Sequence, residues 1–423
     1  MSRARRDCPP MPPEVWHHIE SYLLAMKDLC TCRLVSRALN GFATDKAFRE
    51  ISIRVIADDL ASLNTTNQRH FARTSGILDH ILSNAFFASL IKHLDVYTVG
   101  DWGSHMNQVA RAIHVLPSME SLTWGGARST RLDRIIDGLD TCLPPRHMQS
   151  VPTVLPSLHY LRMLYFCPTE VPLARLPNLL HLEISLIHSS SLANLTAAVR
   201  RVPQLQSLSL LRIEHNIEDV ISELISAISH LPNLTALVMS NFTHSERLTA
   251  SACAQLCAAL RGRARLRRLF CEFRVQEDER AAYLDMLSTL ENLEIVNLHT
   301  NGELTARELT ALQRYLPKRL AVLWLTYSAT EPLSPETLVT FWRHFSNVTF
   351  LSLTIYSGPQ AALAVDEVIR DASRSLRFLG HCGEFYDVRF PEGRPVASVA
   401  WDHGGIKETG CERWDWTMRY LYH

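Results

Sequence analysis

The chain has 423 residues, of which 47% are apolar, enough core material for several domains or a repeat array. Lysine plus arginine and aspartate plus glutamate stand at 43 each, which excludes the broad basic field of a nucleic-acid or anionic-membrane binder and makes protein the expected partner. No run approaches the roughly eighteen apolar residues needed to cross a bilayer, and the opening MSRARRDCPPMPPEVW lacks the apolar stretch of a secretory signal, so the expected location is cytoplasmic or nuclear.

In chain order, Pro12 and Pro13 precede a first helical pattern carried by Val15, Ile19, Tyr22 and Leu23. Lys27 and Asp28 interrupt it, Leu29, Cys32, Val35 and Leu39 repeat the three-and-four spacing, and Gly41 supplies a stop. A third short helix is expected from Phe42 to Phe48. Three helices in about forty residues bury too little apolar surface to stand alone, so this segment is expected to dock on a partner.

The tract MPPEVWHHIESYLLAMKDLCTCRLVSRALNGFATDKAFREI, residues 11–51, resembles the F-box family, including Val35 and Ser36 in CRLVSRALN. Met11 stands where the family usually has leucine, a volume-conserving change. The resemblance implies that Met11, Pro12, Val15, Ile19, Leu23, Leu29, Cys32, Val35 and Leu39 divide between an internal core and a surface that meets a Skp adaptor, and through it a cullin. It sets an F-box domain at 8–50.

From residue 51 to 390 a phrase of the type LPNLTALVM recurs, in about eleven copies. The anchors are Ile91, Met119, Leu158, Leu179, Leu205, Leu234, Leu266, Leu293, Leu320, Val348 and Leu376, and most steps are 26 to 29 residues. The stretch near 120–157, with Gly125, Gly126, Pro144 and Pro145, is irregular. Period and phrase resemble the leucine-rich repeat, one strand and one helix per unit. Residues two apart, such as Leu208 and Leu210 or Leu351 and Leu353, share one face of a strand. Between strands, Ile217, Val220, Ile221, Leu224, Ile225 and Ile228 mark a helix, as do Leu338, Phe341, Trp342 and Phe345. The predicted fold is α/β: a three-helix F-box followed by a solenoid with parallel strands on its concave face and helices on its convex face.

The alternate strand positions are expected to line the concave face and bind a target: Tyr160, Arg162, His181, Glu183, Arg268, Phe270, Glu272, Asn297, His299, Trp324, Phe350 and Phe378. For any one of these positions, cover by loops or by the C-terminal tail competes with contact to a target. The aromatic-rich segment 391–423 is expected to cap the last repeat, with a short partner motif as the alternative.

Other features are set aside. Ten scattered cysteines are read as reduced thiols. The arginines at 261, 263, 265, 267 and 268 are read as a solvated strand entry rather than a nucleic-acid patch, and the His381, Cys382, His403 and Cys411 group has no standard zinc spacing. Asn-x-Ser/Thr matches at Asn64, Asn194, Asn233, Asn241 and Asn347 are read as chance. No phosphate loop, nucleophile elbow or metalloprotease helix is present, so neither catalysis nor a cofactor is expected. The reading is a substrate receptor of a Skp/cullin/F-box ubiquitin ligase with an unknown target protein. The alternatives are a repeat scaffold acting outside a ligase and, more remotely, an enzyme carrying ubiquitin on a cysteine.

Overall fold

The computed structural model describes residues 44–57, 60, 62–99, 105–126, 155–164, 173–185, 195–211, 217–240, 248–272, 275, 277–299, 305–327, 334–355, 364–400 and 416. The chain divides into two units, 1–123 and 124–423. The expected helices before residue 44 and the irregular stretch 127–154 lie outside the described residues.

In the first unit, residues 44–49 are helical and lead into β1 (Glu50–Ile56). Helices α1 (Thr65–Ser83) and α2 (Ala85–Leu90) follow, then β2 (His93–Val99), α3 (His105–His114) and the start of β3 (Ser121–Gly126). β1 and β2 pair in parallel from Glu50↔His93 to Ile56↔Val99. Asn64 and Asn84 each begin a helix by accepting an amide hydrogen on the side-chain oxygen, from Asn67 and Phe87 respectively. The apolar faces of α1 and the strands meet in a core that includes Ile53, Leu78, Ile81 and Val96.

The second unit repeats one strand and one helix. Its strands are β4 (Tyr160–Leu164), β5 (His181–Ser185), β6 (Ser207–Leu211), β7 (Ala236–Met239) and β8 (Arg268–Cys271). β9 (Ile295–His299), β10 (Val322–Tyr327), β11 (Phe350–Ile355) and β12 (Phe378–His381) complete the parallel series. Each pairs with its sequence neighbour, so chain order is sheet order. Between them run α4 (Leu195–Val199), α5 (Ile217–Ser229), α6 (Ala250–Leu260) and α7 (Glu277–Ser288). α8 (Ala306–Tyr315), α9 (Pro335–His344) and α10 (Val365–Ile369) follow. The parallel series ends in an antiparallel pair, β13 (Glu384–Arg389) and β14 (Val396–Ala397), which covers the edge of β12. The turn into β13 uses Cys382 and Gly383, both at positive φ (51° and 84°), as a two-residue hairpin requires.

The repeat phrase explains the construction. All eleven anchor residues are buried, none above 1% exposure. Each sits two residues before its strand, where it turns the chain off the preceding helix, as Leu266 does before Arg268 and Leu293 before Ile295. At the entries of β5 to β12 one carbonyl takes two amides of the next repeat, as Arg267 O does from Glu294 N (2.7 Å) and Ile295 N (3.1 Å). Helix starts recur as well. Thr249, Thr305 and Ser334 cap α6, α8 and α9 by accepting from the third residue onward, and Pro335 takes the first turn of α9.

Four arginines of the tract are engaged at these joints. Arg261 pairs with Asp285, Arg267 with Glu294, and Arg265 donates to Asn233. The half-buried Arg263 guanidinium donates to the carbonyl oxygens of Ala259, Leu231 and Ile228, fastening the ends of two consecutive helical layers. Cys253, Cys257, Cys271 and Cys382 are free thiols. Among the described residues no helix is long and apolar enough to cross a membrane, and no three metal-ligating side chains converge.

Candidate protein-binding face

Strand register fixes which side chains share a surface. Leu237, Leu269, Val296, Leu323, Leu351 and Leu379 align across β7 to β12. They form the buried core row and point away from the opposite face. The residues between them form two rows on that opposite face. One runs Ala236, Arg268, Ile295, Val322, Phe350, Phe378; the next runs Val238, Phe270, Asn297, Trp324, Ser352, Gly380. At the other end of the unit, Tyr160 and His181 continue the first row and Arg162 and Glu183 the second.

All twelve residues expected on the concave face of the strands lie on this side, but the face is not bare. Glu183, Phe270, Asn297, Trp324, Phe350 and Phe378 are buried. Tyr160, Arg162, His181, Arg268, Glu272 and His299 are half-buried. A second apolar cluster lies here, uniting Val238, Phe270, Trp324, Phe350, Phe378 and Phe385 with Trp416 from the C-terminal segment. Phe270 meets Trp324 edge to face at 5.7 Å between ring centroids, and Phe350 meets Phe378 the same way at 5.2 Å. The Arg268 guanidinium lies 5.6 Å from the centroid of the Trp416 ring, a cation–π distance.

Polar chemistry flanks the aromatic cluster. At the β4–β5 end, Arg162 pairs with the buried Glu183 carboxylate at 2.6 Å, while Tyr160 donates its hydroxyl to the other oxygen at 2.8 Å. Further along, Ser240 donates to Glu272 at 2.5 Å. Burial outweighs that hydrogen bond and pushes the Glu272 carboxyl up to about 7. In the centre, the buried Asn297 amide and the Trp324 indole N–H have no hydrogen-bond partner among the described residues, although the two residues are adjacent across β9 and β10. The described residues of the face offer aromatic contact, arginine side chains and polar groups, the materials of protein recognition.

The nine residues expected to meet an adaptor, Met11, Pro12, Val15, Ile19, Leu23, Leu29, Cys32, Val35 and Leu39, lie outside the described residues. Their assignment rests on sequence, and residues 10–54 match a family model described as F-box-like. The chain thus carries an F-box-like segment followed by a strand-and-helix repeat that builds a parallel sheet.

No curated protein matches this chain in sequence. Among solved structures it is similar to an internalin from Listeria monocytogenes, at 12% identity over 85% of this chain and 94% of that one, with a TM-score of 0.32. The leucine-rich-repeat protein LegL7 from Legionella pneumophila is similar at 15% identity over 71% of this chain and 92% of that one, TM-score 0.38. A chain from the yeast Rad7 and Elc1 complex is similar at 13% identity over 83% of this chain and 90% of that one, TM-score 0.42.

Proposed function

We propose that the chain is a substrate-recognition subunit of a Skp/cullin/F-box ubiquitin ligase. The F-box-like segment would hold a Skp adaptor, and the open face of the repeat sheet would hold a target protein. The observation that carries this reading is the joining, on one polypeptide, of an F-box-like segment at 10–54 to a separate repeat unit whose sheet face is rich in aromatic and hydrogen-bonding groups. In this role the chain supplies no reacting group. It tethers a target lysine near a ubiquitin-charged enzyme, and the rate gain is that of effective concentration.

Replacing Pro12 and Leu29 together with alanine should abolish co-purification with the Skp adaptor while the repeat unit keeps its melting transition. Undiminished recovery of the adaptor contradicts the assignment. Recovery of the adaptor from wild type without any cullin supports a scaffold acting outside a ligase instead.

A further inference from the structure

We infer that the Trp416 indole is the resident occupant of a recognition slot on the open face, and that a target enters by replacing it with an aromatic side chain of its own. The inference rests on the reading of this face as the target-binding surface and adds both the kind of partner and the competition that regulates it.

The first support is position. A segment whose task is to cap the last repeat would cover β12 and β13, and there the antiparallel pair β13–β14 already closes the edge. Trp416 instead has its ring over Arg268 of β8, which is separated from β12 by β9, β10 and β11. It is buried there in one cluster with Phe270, Trp324 and Phe350. An aromatic ring held between an arginine and other aromatic rings is the arrangement of an interface anchor.

The second support is what this occupancy leaves unspent. Both polar atoms of the Asn297 amide and the Trp324 Nε1 are buried on the same face without a hydrogen-bond partner among the described residues. Groups in that condition cost free energy, and a segment that meets them with backbone N–H and C=O gains an advantage over one that does not. The face is therefore filled by Trp416 but not fully satisfied by it. The occupant that fits best is an extended segment bearing one large aromatic side chain, whose neighbouring peptide groups reach Asn297 and Trp324.

The test uses the full chain and a fluorescent peptide of residues 408–423. The peptide should bind the Trp416→Ala chain at least tenfold more tightly than the wild type, whose slot is taken. A peptide with alanine in place of Trp416 should lose that binding, and Arg268→Ala added to the Trp416→Ala chain should weaken it several-fold. Trp416→Leu, which keeps apolar bulk over the sheet, serves as a second host and should bind the peptide several-fold better than wild type. Equal binding to wild type and both variants, or no binding to variants that keep the wild-type melting transition, overturns the inference. Either result leaves the Skp-adaptor experiment unaffected, so the two readings fail separately.

Discussion

Arg162 and Glu183 sit side by side on neighbouring strands of the open face, 2.6 Å apart, and the carboxylate side chain is only 1% exposed. A buried carboxylate is tolerable because its charge is matched: the guanidinium takes one oxygen and the Tyr160 hydroxyl the other. Removing one partner strands the other charge. Arg162→Ala is expected to cost about 3 kcal/mol in urea unfolding, whereas the paired change Arg162→Met with Glu183→Leu should recover most of that loss. A single variant as stable as wild type would show that water reaches the carboxylate.

Glu272 gives the fold a pH dependence with a definite sign. Burial raises its carboxyl to about 7 from the ordinary 4.5, so the folded state holds a proton that the unfolded state has released between those values. The contribution is fully present below about pH 4.5, is lost as pH rises to about 7, and is flat above that. Glu272→Gln should remove this slope. At pH 8 the variant is expected to be more stable than wild type by up to about 3 kcal/mol, and at pH 4.5 the two should match. Unfolding midpoints at both pH values check it, and parallel curves would refute the assignment.

Gly380 is small for a packing reason. A Cβ built there would lie 2.8 Å from the Ser352 hydroxyl and 2.9 Å from a ring carbon of Phe385. Ser352 is its register partner on β11, and Phe385 belongs to the aromatic cluster on the open face. Gly380→Ala is therefore expected to lower stability by about 1–3 kcal/mol through overpacking. The same change at the open Gly76, on helix α1, should not destabilise the fold, because no atom lies within 4 Å of that Cβ and alanine is the better helix former. Thermal melts of the two variants make the comparison.

The repeat was legible because burial recurs with the period of the sequence. Ile91 and Leu376 lie far apart, yet both show the same near-zero exposure, since each closes one strand-and-helix unit. The covered state of the open face was legible only in part: VLWLTY in β10 is a nearly continuous apolar run and is buried at every position, whereas SLSLL in β6 alternates serine with leucine and is nonetheless buried throughout. What covers part of that face, Trp416, is distant in sequence from every strand it meets, and no local pattern announces such a contact. The arginine tract lies at the entry to β8 with Arg261, Arg265 and Arg267 exposed, as its spacing suggested, but its role in joining repeats was not legible. Its charges are spent on Asp285, Glu294 and backbone carbonyls of neighbouring repeats, partners about 24 to 35 residues away in all but one case.

The asparagines of the repeat phrase supply the last prediction. The Asn178 amide donates to Pro156 O at 2.6 Å, Asn292 to Ala264 O at 2.6 Å and Asn347 to Lys318 O at 2.8 Å, and Gln204 does the same to Pro177 O at 2.8 Å. Each bond ties the turn before one strand to the turn before the preceding strand. Asn347 thus has a structural use that its match to a glycosylation pattern conceals. Asn292→Ala and Asn347→Ala are each expected to cost about 1 kcal/mol. Because they fasten different repeat pairs, the double variant should lose about the sum, as nearest-neighbour coupling in a solenoid requires. A double loss well above the sum, measured by urea unfolding, would show that the repeats between Ala264 and Asn347 open as one block rather than joint by joint.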